Sequence, residues 1–393
     1  MPPKFLQLHF LTSYPATLLN RDDAGFAKRL PFGGTTRIRV SSQCQKRHWR
    51  THEGEHSLRN LDVDMSIRSR RTFERFVFEP LVEDGHDEEV AADITSDLKD
   101  EVLGARAEGG GDEGRERLRS NQVTVLGRPE VEYLRDVAAE VCEDVAGGKA
   151  YEEVAEEIFD RETKKNLKAL DHAAGLDAAL FGRMVTSDIL ARGDAAVHVA
   201  HAFTVHDEES ESDYFTAVDD LVQEAEEAGS GHINSSELTS GLFYGYVVLD
   251  LPLLVSNLEG CACEDWLEAD RDLAARVTEE LVHLVAKVSP GAKLGSTAPY
   301  AYAHLLLAEA GNVQPRTLAN AFMQAVDERP DLLSNAYAAL GDYMTSLDEV
   351  YGRQTDRRAA AVHDGSALKP AVEDDELVSL DELVSWASAR VEG

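Results

Sequence analysis

Lysine is scarce in this chain: 11 of 393 residues, against 28 arginines and 73 aspartates and glutamates. The formal charge is −34. A surplus of that size repels polyanions, so at face value it argues against a nucleic-acid partner. Four cysteines cannot build a disulfide framework, and a reducing cytoplasm is the expected compartment. No apolar run reaches membrane-spanning length and no charged-then-apolar leader opens the chain, so neither a span nor secretion is expected. What is present is 43% hydrophobic and 28% charged residues, enough to bury a sizeable core, which excludes wholesale disorder. The length predicts two or three domains, or one domain with large insertions.

The charge is uneven. Residues 1–50 hold nine basic side chains (Lys4, Arg21, Lys28, Arg29, Arg37, Arg39, Lys46, Arg47 and Arg50) against two acids, Asp22 and Asp23, a net +7 that leaves −41 for the rest. A lysine-poor acidic surface fits adaptation to a salty cytoplasm. The alternative is an ordinary acidic protein from an arginine-favouring, GC-rich genome.

Residues 5–11 (FLQLHFL) alternate as a half-buried strand does, and 37–41 (RIRVS) resume the pattern after a turn-rich loop from Ser13 to Gly34. Ser41 or Ser42 can cap a helix beginning near Gln43. From about 55 to 185 the pattern is helical and polar, with segments at 131–146 and 150–160 and a glycine-acid stretch, EGGGDEG, at 108–114. Strand character returns at 197–205 and 241–251, on either side of an acidic excursion at 207–231, which predicts a protruding hairpin or flap. Helices are expected at 266–288, stopped by Pro290-Gly291, and at about 317–327, 331–350 and 376–391. There is no internal repeat. The order of strands and helices predicts an α+β fold carrying accessory insertions.

Few motifs carry chemistry. Cys261-x-Cys263 and the trio His198, His201 and His206 have the right side chains for a metal. On an extended strand, however, 198 and 206 stand about 26 Å apart at roughly 3.3 Å per residue, so no metal site is expected. Gly33-Gly34 and Gly109–Gly111 match no phosphate-binding loop, and no G-x-S-x-G elbow is present. Asp22 and Asp23 can serve as a base or bind magnesium, or can pair with Arg21 and shape their loop.

The basic block is the informative feature. In SSQCQKRHWR, Lys46, Arg47 and Arg50 can share one side of a helix, and Ser41, Ser42 and Gln43 add donors at its start, where free N–H groups favour an anion. Arg37 and Arg39 share a face of the preceding strand. No acid intervenes between Asp23 and Glu53. The combination suits a phosphate backbone held without base readout, and the alternative is a solvated basic face.

At these residues the chain resembles the repeated backbone subunit of the type I-E CRISPR surveillance complex, Cascade. The matching segments are LNRDD (19–23), FGGTTRIRVSSQCQKR (32–47), FGRMVTSD (181–188), AHAFTVH (200–206), DYFTAVDDL (213–221), SSELTSGLFYGY (235–246) and VSPGAK (288–293), in order along most of the chain. The resemblance implies a ferredoxin-like, RNA-recognition-type palm with a large helical fingers insertion and a thumb flap. It implies palm at 1–55, fingers at 56–190, a palm strand at 191–202, thumb at 203–240 and palm with C-terminal helices at 241–393. It also implies a non-enzymatic role in antiviral defence with no cofactor. Several copies would stack head to tail on one CRISPR guide RNA with other Cascade subunits, kinking the guide at intervals and presenting it to target DNA.

Carried over residue by residue, the resemblance assigns guide phosphates to Arg21, Lys46, Arg47 and Arg50, with Ser41, Ser42 and Gln43 hydrogen-bonding beside them. It assigns Met184 and Phe215 to wedge against bases at the kink, and adds Arg183 and Lys293 to the RNA contacts. Lys164, Lys165 and Lys168 would face double-stranded DNA. The segment 84–115 departs from the family pattern and receives no role. Related backbone subunits of other CRISPR types cleave RNA with a loop aspartate, which leaves an RNA-cleaving relative using Asp22 or Asp23 with magnesium as the competing reading.

Overall fold

A computed structural model describes residues 2–104, 114–158, 165–167, 170, 174–183, 193–217 and 231–393, and the side chains of 156–158, 215–217 and 231–234 lie outside that description. The chain divides into two compact units. The first comprises 1–58, 198–251 and 271–393, and the second 59–197 with 252–270. Residues 252–270, expected within the palm at 241–393, group with the second unit.

The first unit is organised on strands β1 (Phe5–Thr17), β2 (Arg29–Phe32) and β3 (Thr35–Val40), the helix α1 (Ser42–Thr51), and the later strands β6 (Val197–Val199), β7 (Ala202–Thr204), β8 (Glu209–Ala217), β9 (Gly231–Asp250), β10 (Leu305–Gly311) and β11 (Thr355–Ala361). The sheet runs β11-β10-β1-β9-β7-β3-β2, antiparallel at each of these pairings. Central β1 pairs Leu8 with Val247 on β9 and with Ala308 on β10. Leu6, Gln7, Leu8, His9, Phe10, Leu11 and Thr12 are all buried, so β1 is covered on both faces rather than half-buried as its alternation predicted. Gly245, opposite Phe10, is required here: a Cβ would fall 2.0 Å from the Phe10 ring.

One face of the sheet carries α1 and the helix Asp272–Lys287. Phe10, Val40, Phe243, Trp49 and Val285 line one small cavity between them. The other face packs Leu11, Tyr244, Leu305 and Leu307 against Ala336, Tyr337, Leu340 and Met344 of the helix Leu332–Tyr351. Three expectations shift. The helix predicted from 266 begins at Asp272, because the chain passes between the two units at 270–271. The helix predicted at 317–327 is a single 3₁₀ turn, Ala319–Phe322. Its backbone is engaged elsewhere: Leu318 N–H donates to the Tyr244 hydroxyl, Val326 N–H to Val205 O, and Phe322 O accepts from Arg37. Strands β10 and β11, which the sequence pattern does not predict, supply one edge of the sheet.

The second unit is mostly helical, with a two-stranded sheet of β4 (Ile67–Ser69) and β5 (Thr124–Leu126). Helices Glu88–Leu103 and Arg128–Ala146 bury Ile94, Leu98, Val131, Leu134 and Val141 around Phe73 and Phe78. Glu74, 1% exposed, accepts from Arg71 and Arg119, each at 2.8 Å, and these bonds pull its carboxyl down to about 2. The glycine-acid stretch 108–114 falls almost wholly outside the described residues. The chain is α+β, and no described helix is long and apolar enough to cross a membrane.

Candidate nucleic-acid interface

The basic strip is built from the FGG turn outward. Gly33 and Gly34 link β2 to β3 with φ of 63° and 85°. Two left-handed residues in a two-residue hairpin match the right-handed twist of the strands, which is why glycine stands at both. A Cβ at Gly33 would also run into the Met323 carbonyl. The hairpin sets the register of β3, and β3 delivers the chain to Ser41.

Ser41 is the N-cap of α1, with its Oγ accepting the Cys44 N–H at 3.2 Å. The helix rotates Gln45 and Trp49 into the core, and Gln45 donates to Ala200 O at 2.9 Å. At 100° per residue this turns Gln43, Lys46, Arg47 and Arg50 onto the opposite side as one stripe. Gln43 and Arg47 are exposed, and Ser42, Lys46 and Arg50 are half-buried. Ser41 itself is buried, so its hydroxyl holds the helix start rather than facing outward.

The loop carrying Arg21 is fastened to the same helix start. Asn20 Oδ1 accepts the Ser41 N–H at 2.9 Å, and Asn20 O accepts the Lys28 N–H at 2.9 Å. Asp22 closes the loop from inside: its Oδ1 accepts Ala24 and Phe26 N–H at 3.0 and 2.9 Å. Arg21 is left exposed at the rim. On the far side of α1, Gly291 N–H donates to His48 Nε2 at 3.2 Å, which places the ring proton on Nδ1, where it donates to Cys44 O at 2.8 Å. Ala292 N–H donates to Leu18 O at 3.0 Å. These two bonds bring Lys293 beside the Arg21 loop, although the two residues are 272 positions apart in sequence.

Charges absent from the sequence-based site converge here. Burial pushes the Cys44 thiol up, and the positive charges of Arg47 and Lys28 oppose that shift. Burial lowers the pKa of His201, and Arg39 and Lys28 lower it further. Arg39 donates to His201 Nδ1 at 3.1 Å. Lys28, Arg39 and Arg47 thus share one electropositive neighbourhood at the start of α1. The pairing of β3 with β7 creates it, and no local pattern announces that pairing.

Two arginines of the block are used inside the fold. Arg37 is fully buried and donates to the carbonyls of Phe32, Thr204 and Phe322, so it clips three segments together instead of joining Arg39 on the strip. Arg29 pairs with Glu208 and Glu237, acids distant in sequence that neutralise it despite the acid-free interval up to Glu53. Arg183 belongs to the second unit, 4% exposed, and pairs with the buried Glu130 at 2.6 Å, so its guanidinium is committed to that unit's interior.

The excursion at 207–231 begins as β8, which pairs with β9 from Glu209 opposite Ser240 to Ala217 opposite Gly231. Phe215 pairs with Asn234 along this ribbon, and its side chain lies outside the described residues. Glu208 and Glu237 lock the ribbon's base to Arg29, and Glu237 also accepts the Ala27 N–H at 2.6 Å. Met184, Lys164 and Lys168 lie outside the described residues, and Lys165 is exposed. Of the candidate metal ligands, His201 serves Arg39, while His206 accepts from Leu242 N–H and donates to Asp207 O. Among the described residues no three His, Cys, Asp or Glu side chains are grouped to hold a metal ion.

Residues 6–386 match the CT1975-like protein family, Cas_CT1975. No curated protein sequence matches the chain. Among solved structures it is similar to a chain of a "CRISPR RNA-guided surveillance complex, pre-nicking", at 27% identity and a TM-score of 0.74, covering 98% of this chain and 100% of that one. It is also similar in fold to a chain of a "CRISPR RNA-guided surveillance complex", at 23% identity and a TM-score of 0.56, covering 98% and 99%.

Proposed function

The chain belongs to the CT1975-like protein family, and from that premise we propose that it is a guide-RNA-binding backbone subunit of a CRISPR surveillance complex of Cascade type, subtype I-E. The observation that carries the reading is the α1 stripe of Gln43, Lys46, Arg47 and Arg50, flanked by Arg21 and Lys293, in a chain that covers a subunit of such a complex end to end. Lysine and arginine at that spacing track a phosphate backbone, and Gln43 and Ser42 add neutral donors. Copies of the chain follow one another along the guide beside other Cascade subunits. The β8–β9 ribbon, with Phe215, and Met184 supply the kink, and the exposed bases pair with target DNA through an open, head-to-tail repeat. Lys164, Lys165 and Lys168 face the DNA.

The role is non-catalytic. Asp22 holds its own loop with two backbone hydrogen bonds, which supports a structural carboxylate over a general base. Incubating the assembled complex with guide-complementary RNA and magnesium distinguishes the two: intact RNA is expected, and a ladder of regular cuts would establish the cleaving alternative. Most of the described acidic remainder faces solvent, with Glu74, Glu130, Asp177 and Glu309 among the buried exceptions. Single-strand affinity falls with a log–log salt slope of about −0.7 per neutralised phosphate. An assembly adapted to salt would therefore lean on stacking and copy-to-copy contacts, and would survive molar salt. The experiment for the central role is the native mass of the purified assembly before and after ribonuclease. The expected result is a multi-copy particle that collapses, and a nucleic-acid-free monomer recovered from a host with guide and partners would contradict the role.

A further inference from the structure

Two of the most exposed large side chains in the first unit stand two residues apart: Tyr300 is 75% exposed and Tyr302 69%. They alternate with alanines whose backbone is tied inward. Ala301 N–H donates to Ser289 Oγ at 2.9 Å, the same hydroxyl lies 2.9 Å from Ala301 O, and Ala303 N–H donates to Ala286 O at 2.8 Å. Ala301, partly buried, packs inward between them, and both rings are left exposed on a backbone tied down at Ala301 and Ala303.

Their place in the fold is specific. Ala301 packs on the cluster of Tyr14, Leu18, Ile38 and Val40, as does Cys44 at the start of α1. Pro299 lies against Gly291, where a Cβ would come within 2.8 Å of its ring, and Gly291 is held by His48 of α1. The tyrosine segment therefore borders the start of α1, and Tyr300 lies seven positions after Lys293.

The geometry points to Tyr300 and Tyr302 as a base-stacking pair for single-stranded nucleic acid, flanking the phosphate contacts of α1. This rests on the guide-binding reading above and adds the chemistry that reading lacks at this edge. Lysine and arginine take phosphates, whereas an exposed tyrosine ring takes any base by its π face, without sequence readout. Stacking is also the contact that salt weakens least, which suits a chain of this charge. A tyrosine has only two side-chain torsions, so little side-chain freedom is lost when a base arrives.

The test uses the whole complex assembled on a guide containing 4-thiouridine. Irradiation is expected to cross-link a peptide that contains Tyr300 or Tyr302. The double variant Tyr300→Leu/Tyr302→Leu keeps an apolar surface but no π face, and is expected to lose guide about tenfold or more in competition. The Tyr300→Phe/Tyr302→Phe variant should retain it. Both positions are exposed, and equal melting temperatures of the variants serve as the folding check. If the leucine variant competes like the wild type and no such peptide is cross-linked, the inference is overturned while guide binding stands. If the leucine variant keeps its guide per copy but loses copy-to-copy assembly, the rings make a protein contact and the inference is equally overturned. Retention of guide by a charge-reversed α1 would instead bring down the guide-binding reading itself.

Discussion

The side-chain oxygen of Asn20 accepts the backbone N–H of Ser41 at 2.9 Å, joining the loop that presents Arg21 to the first turn of the helix that presents Lys46, Arg47 and Arg50. The bond fixes two cationic elements as one rigid surface. It satisfies an amide that the capping geometry would otherwise leave unpaired, and such an amide costs about 1–3 kcal/mol when buried.

Asn20→Ala is accordingly expected to destabilise the first unit by about 1–2 kcal/mol. It should also weaken guide retention, although it removes no charge. Thermal melting and guide competition measured on the same preparations check this. Lower stability with unaltered guide retention would show that the Arg21 loop does not need its anchor.

Arg29 is paired with both Glu208 and Glu237 at the base of the β8–β9 ribbon. Glu237 is only 9% exposed on its side chain, so Glu237→Gln leaves a partly buried arginine with one exposed partner. The expected cost is about 1–3 kcal/mol, concentrated at the ribbon base. Limited proteolysis should cut the ribbon faster in the variant, with the rest of the unit unaffected. Equal cleavage would show that the β8–β9 ladder holds the ribbon without this clamp.

Glu74 supplies a pH dependence in the second unit. The hydrogen bond from Arg71, then that from Arg119, hold its pKa at about 2, below the ordinary value of 4.5. The folded-state pKa is the lower one, so the ionised carboxylate stabilises the unit above about pH 4.5 and that contribution is lost as the pH falls toward 2. Wild type should therefore melt higher than Glu74→Gln at neutral pH, by about 2 kcal/mol of stability. The gap should narrow between pH 4.5 and 2. A gap that is constant across that range would remove Glu74 from the acid response.

Much of the strip was legible in the sequence because it is local: the cap, the helix and the stripe of Lys46, Arg47 and Arg50 follow from spacing alone. The fates of Arg37 and Arg29 were not. Both share the strip's composition, yet partners from residues 204–322 draw Arg37 inside and neutralise Arg29. Strand β10 escaped for a different reason. Its run LLLAEAG is buried almost throughout, so it has no alternation to betray a strand. The 317–327 segment has helical spacing, but the sheet claims its backbone groups before a helix can. Net charge misled most of all, because the first 50 residues carry +7 inside a chain whose total is −34.

The most direct test is the guide content of complexes purified with Lys46→Glu/Arg47→Glu/Arg50→Glu in place of the wild-type chain. These side chains lie opposite the buried Gln45 and Trp49, and the cap at Ser41 does not use them. Wild-type complexes should carry a discrete small RNA, visible as absorbance near 260 nm and as one band on a gel. The variant should be recovered folded and free of it. Equal RNA in both preparations would contradict the assignment of this helix face to the guide.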